Sequence, residues 1–319
     1  AQAEGNSQSV PLIVHPADPK IDNLPLMANL DQGSQVVTLR GTGLERIEQI
    51  TSKNSAWQLA PATGGGRARK ATIRLGPGLN SGETIDAAMS VTGIHTPVNL
   101  PGALRVAPPR PAISSVSESF PKSGGVALRA GEIPAGSAVS FALRTDHVEG
   151  EPTLAISCSD SSDTKRPLTL QPGNMNGQAQ LDYAGEGVLF LSLTPGLVGQ
   201  SGCALTATLS TASAGASIPK RLGSVIRLPQ IEKFSLSDKK IGGSLYEGTL
   251  VGQNLQMIAM TGWNPSRGYS VEGIPTPVPG STDEQTLQIT MPWPPPSPSA
   301  PVYIWLRGEN QGRRTSAVY

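Results

Sequence analysis

Charge, histidine, cysteine and aromatic residues are all scarce in this chain of 319 residues, and each shortage removes a class of function. Charged residues make 15% of the chain, against about 25% in an average soluble domain. The net charge is +1, with no basic or acidic half, so no field favours nucleic acid or an anionic lipid surface. The three histidines, His15, His95 and His147, stand on widely separated segments and suggest neither a metal site nor a catalytic trio. Only two cysteines occur, Cys158 and Cys203, without a Cys-x-x-Cys pair, which argues against zinc or redox chemistry. The longest apolar stretch, Gly187 to Gly199, is cut by Pro195 and falls short of the roughly 18 to 20 residues of a membrane helix.

Helical periodicity is nearly absent as well. No dozen residues hold apolar positions at three-and-four spacing without a glycine or proline among them. What is abundant is turn chemistry, with 36 glycines and 29 prolines, while apolar residues still make 37%. Short alternating runs such as "KATIRLGPG", "AVSFALRTD" and "TLQITMPW" lie between these breakers and read as strands. The expected fold class is all-β, three β-sandwich domains in tandem.

Internal repeats support that division. Pro-x-Ile starts occur at Pro19, Pro111 and Pro229, and the second and third follow the similar phrases "GALRVAPPR" and "GSVIRL". Boundaries are therefore expected after an N-terminal extension (1–18), giving domains 19–109, 110–228 and 229–319. Thr38 to Ile47 aligns without a gap on Thr249 to Ile258, with five of ten positions identical. In that alignment Gly41 matches Gly252 and Gly43 matches Asn254. Glycine and asparagine share tolerance of the left-handed backbone region, so a turn between two strands accounts for the pair. A phosphate loop does not, because there is no third glycine, no following helix and no βαβ unit. The middle domain carries only a faint echo of the pattern, "VALRAGEI" from Val126 to Ile133, together with both cysteines.

The order of Pro-x-Ile, a strand ending in "TLRGTGL" or "TLVGQNL", and a closing "GALRV" or "TSAVY" resembles the IPT/TIG class of immunoglobulin-like domains. The resemblance covers residues 19 to 107 and 229 to 319; the middle domain reads as a divergent Ig-like sandwich. It implies a spacer, adhesion or ligand-contact module, and it carries over no catalytic residue. The first domain departs by closing without an aromatic, and the third by inserting a proline-rich tract.

The remaining candidates are few. Cys158 and Cys203 read as a structural disulfide, the alternative being two buried thiols. "AQAEGNSQSV" lacks the basic and apolar regions of a signal peptide and reads as a start left after one is removed. A bridged pair would then place the protein in an oxidising compartment: secreted, periplasmic or at a cell surface, the composition being commoner in secreted bacterial β-proteins. Asp160 and Asp163 form a weak calcium candidate without the glycine and glutamate of an EF-hand loop. "GGGRARKAT", Gly64 to Thr72, reads as a hairpin loop with a solvated basic base. "GQSGC", Gly199 to Cys203, has the wrong spacing for a nucleophile elbow. Trp263, Trp293 and Trp305 gather in the last domain and are the candidate contacts for a ligand or partner, with Trp293 on the stiff tract "MPWPPPSPSAP". The expected role is non-enzymatic: a structural, adhesion or protein-binding module, or a subunit of an extracellular assembly, with no cofactor, no nucleic acid and no membrane span. A carbohydrate-binding module using the third-domain aromatics is the first alternative, and an enzyme with a site in the middle domain the second.

Overall fold

The computed structural model describes residues 17–30, 32–62, 65–120, 125–159 and 167–319. Asp160, Asp163, His15, Gly64 and most of the N-terminal extension lie outside the described residues. Among the described residues every regular element is a strand or a single turn of 3-10 helix, and no helix is long and apolar enough to cross a membrane. The chain divides into two compact units, 1–110 and 111–319.

In the first unit the alternating runs become strands with one face inward; in Gln35–Thr42, for example, Gln35 and Leu39 are buried while Val36, Thr38 and Arg40 are exposed. Counting the two halves of the opening strand, Lys20–Ile21 and Leu26–Asn29, as one, there are seven strands among the described residues. One layer orders Lys20–Ile21, Gln35–Thr42, Ala68–Leu75 and Ser55–Leu59. The other orders Ile47–Ser52, Thr84–Val91, Ile94–Ala107 and Leu26–Asn29, and among the described residues the ladders of the two layers meet only at the Ser52 to Ser55 pair. This is the strand order of an immunoglobulin constant-type sandwich. Leu39, Leu44, Ile73, Met89 and Leu104 fill the space between the layers.

The second unit holds two further hydrophobic cores. In the middle sandwich, Ala112–Ser119 pairs with Val139–Asp146 in one sheet. Glu132–Pro134 runs parallel to Lys220–Ile226 in the facing sheet. The opening strand is thus again shared between layers. Thr153–Cys158 and Ala204–Thr211 are neighbours, and a disulfide ties Cys158 to Cys203 with Cα atoms 5.5 Å apart. In the third sandwich the opening strand Gln230–Gly242 stays on one sheet, beside Leu245–Gln253, Gln285–Pro292 and Thr276–Pro277. The facing sheet orders Arg267–Ser270, Ile258–Asn264, Pro301–Leu306 and Arg313–Val318. The fold is all-β, immunoglobulin-like sandwiches in series.

The ten-residue repeat has the same backbone in both copies. Gly43 (φ 66°) and Asn254 (φ 55°) take the left-handed conformation and each starts a one-turn helix, Leu44–Arg46 and Leu255–Met257. The residue before the turn strand's end is constrained by a neighbour. Ile21 pairs with Gly41 and Ile231 with Gly252, and a Cβ at either glycine would run into the backbone carbonyl of Lys20 or Gln230.

Two segments differ from their sequence readings. Val126–Ile133 is split between two sandwiches: Ile133 stays in the middle core, whereas Val126 bridges to Thr315 and its side chain lies in the third core. Arg69 is half-buried rather than held out in solvent. Its Nε donates to the Ala60 carbonyl (2.6 Å) and its Nη1 to those of Leu44 (2.9 Å) and Ile47, so the cation is drawn into the turn that follows Gly43.

Candidate functional site

Five aromatic residues of the last sandwich form one file of rings, each from a different segment. Trp263, on Ile258–Asn264, stands edge-on to Phe234 of the opening strand at 5.8 Å and to Tyr319 at 6.2 Å. Its indole Nε1 donates to the Pro292 carbonyl at 2.7 Å, which satisfies the buried N–H. Tyr319 is 5.4 Å from Trp293, and Trp293 is 6.0 Å from Tyr246. The file thus begins in the core and ends at the surface, where Trp293 and Tyr319 are 40% and 46% exposed.

Proline explains why Trp293 is presented there. The strand Gln285–Pro292 stops because the following prolines supply no ladder donors, and the chain resumes as a strand only at Pro301. Trp293 keeps one tie, its N–H donating to the Ser244 carbonyl at 2.7 Å beside the hairpin that carries Tyr246. Trp305 has a different fate. It is 2% exposed, and its ring lies so close to the backbones of Gly268 and Gly312 that a Cβ on either would come within 2.9 Å of it. Trp263 and Trp305 are therefore interior rings, and Trp293 alone of the three tryptophans offers surface.

At the other pole of the same sandwich, the strand Arg313–Val318 begins in a buried ion cluster. The Arg313 guanidinium, 3% exposed, uses all of its nitrogens. It grips Glu132 of the middle sandwich with Nη1 (2.6 Å) and Nη2 (2.7 Å), and Glu309 with Nη2 (2.6 Å) and Nε (3.0 Å). Nη1 also donates to the Ala127 carbonyl at 3.2 Å. Arg129 reaches Glu309 at 3.3 Å. Burial alone would push the Glu132 carboxyl up; hydrogen bonds from Arg313 and the Arg129 amide, with the charges of both guanidinium groups, outweigh it and hold the carboxyl below its ordinary range. Burial likewise opposes the Arg313 charge, and its two carboxylate partners more than offset that, raising its affinity for the proton. Fully paired, the cluster is a structural joint rather than a reactive one. Sequence reasoning missed it, since Glu132 lies 181 residues from Arg313 and the neighbouring Glu309 and Arg313 form no motif by themselves.

Among the described residues no three of His, Cys, Asp and Glu come together to hold a metal, and His95 and His147 are exposed. Gly199 to Cys203 forms the turn beneath the disulfide, with the Cys203 N–H donating to the Gln200 carbonyl at 3.1 Å.

The class of molecule that the fold defines is a chain of immunoglobulin-like sandwiches, the last with an exposed aromatic pair. No family model matches the chain, and no curated protein does. Solved structures similar to it include the tandem Ig repeats of Dlar, 12% identical over 66% of this chain and 98% of that one, with a TM-score of 0.25. The full Ig1-Ig3 ectodomain of mouse nectin-like molecule 4 is 11% identical over 92% and 95%, with a TM-score of 0.25. The structure of Dpr2 Ig1-Ig2 in complex with DIP-Theta Ig1-Ig3 is 12% identical over 93% and 97%, with a TM-score of 0.21. At such scores the strand order, and no overall superposition, carries the immunoglobulin likeness.

Proposed function

We propose that this chain is a non-enzymatic part of a secreted or cell-surface protein, made of sandwiches over 19–109, 110–228 and 229–319, the first and third of IPT/TIG type. It acts by presenting the free pole of the third sandwich to a protein partner, a second copy of the chain being the first candidate. The observation that carries this reading is the exposed pair Trp293 and Tyr319 on a proline-stiffened loop and a strand end. Stiff, aromatic and partly apolar surface is what interface hot spots are made of, because it buries large area at small entropic cost. The disulfide agrees with an oxidising compartment.

Sedimentation velocity of the wild type and Trp293→Ala over a concentration series tests the proposal. Association that weakens in the variant supports it, and a wild type that sediments as a monomer throughout, indistinguishable from the variant, removes self-association. Retention on insoluble polysaccharide that is lost in the same variant would instead establish the carbohydrate alternative.

A further inference from the structure

The last strand of a sandwich sheet leaves a row of N–H and C=O groups that natural proteins cover. In the first sandwich the chain covers it locally: the second half of the opening strand lies parallel to the last, Leu26 against Leu104 and Ala28 against Val106, with both side chains in the core. In the third sandwich that solution is absent, because the opening strand Gln230–Gly242 runs unbroken on the opposite sheet. Its last strand is covered by residues from elsewhere. The Ala127 N–H donates to the Arg314 carbonyl (2.8 Å) and the Ser316 N–H to that of Gly125 (2.6 Å), while Val126, 4% exposed, joins the third core.

The source of this borrowed strand decides its consequence. It belongs to the connection between Ala112–Ser119 and Glu132–Pro134, the two halves of the middle sandwich's own opening strand. Both halves are laddered into the middle sandwich, so the connection is anchored at each end in one sandwich and built into the other at its centre. Beyond Val126, Arg129 donates to the Gln311 carbonyl at 2.9 Å, and Glu132 closes on Arg313. We infer that residues 125–132 are a clasp that supplies the third sandwich with its missing edge strand and locks it to the middle sandwich as one rigid body, with Arg313 as the pin. The inference is independent of what the far pole binds.

Two variants of the full chain test it. Glu132→Gln removes the charge that crosses between the sandwiches while leaving Val126 and the Arg313–Glu309 pair in place. Its expected effect is about tenfold faster tryptic cleavage after Arg129, together with a broadened small-angle scattering profile, at unchanged near-ultraviolet dichroism. The pair Val126→Cys with Thr315→Cys should form an intrachain disulfide and return the Glu132→Gln protein to wild-type protection. In the wild type, acid should act as Glu132→Gln does: Arg313, Arg129 and Glu309 face the Glu132 carboxyl, and its hold is lost as pH falls through its lowered titration. The clasp is overturned if Glu132→Gln leaves both cleavage and scattering at wild-type values, or if the paired cysteines form no intrachain bond.

Discussion

The first and third sandwiches share a turn and fasten it with different parts. In the first, the Leu44 N–H donates to the Gly66 carbonyl at 3.1 Å, and Arg69, on the strand Ala68–Leu75, binds the carbonyls of Leu44 and Ile47. In the third, the Leu255 N–H donates to the Gln285 side chain at 2.9 Å, and Arg307 holds the carbonyls of Gln256 and Met257, each at 3.1 Å. What recurs is the backbone and the residues it requires: a glycine against the opening strand, a left-handed residue, and a buried leucine and isoleucine. The groups that satisfy the turn's polar atoms are free to vary, because any donor or acceptor of the right reach serves.

The strongest way to break this likeness is at the shared glycines. Gly41→Ala and Gly252→Ala each drive a Cβ into a paired backbone, which cannot rotate away as a side chain would. Each should cost about 3 kcal/mol, the upper end for overpacking. Denaturant unfolding followed by Trp57 for the first sandwich and by Trp263 and Trp305 for the third would show it. Equal losses would extend the equivalence to energy, and a harmless Gly252→Ala would limit it to sequence.

The fasteners should separate the two turns. Arg69→Ala strips partners from three carbonyls, and about 2 kcal/mol should be lost from the first sandwich. Gln285→Ala orphans the N–H of buried Leu255, and about 1 kcal/mol should go from the third. Midpoint shifts in the same unfolding experiments measure both, and a larger loss for Gln285→Ala would reverse the account.

These differences also mark where sequence reading stops. All-β architecture was legible because strands and breakers are written locally, in alternation and in glycine and proline. Arg69 was not, since a cation after three glycines has the same local signature whether it faces water or a ring of carbonyls. Nor was the clasp: Val126 carries a strand-like pattern, but alternation tells which side is buried and not which core receives it. Trp293 on its proline tract was visible as an unusual aromatic, while the interior positions of Trp263 and Trp305 depend on glycine backbones and carbonyls that sit distant in the chain.

The smallest effects belong to the left-handed position itself, and they discriminate most finely. A β-carbon in that conformation costs roughly 1 kcal/mol for most residues, whereas asparagine is tolerated nearly as well as glycine. Space is not limiting at Gly43, where a Cβ would meet Pro19 at an ordinary 3.4 Å. Gly43→Asn should therefore leave stability within about 0.5 kcal/mol of wild type, helped by the smaller conformational freedom of the unfolded chain. Gly43→Val should lose about 2 kcal/mol, since branching adds to the same backbone penalty. Asn254→Gly, the reciprocal exchange, should cost only a few tenths of a kcal/mol. If Gly43→Asn proved as damaging as Gly43→Val, the match between Gly43 and Asn254 would owe nothing to the left-handed turn, and contact with the neighbouring chain would have to explain the glycine.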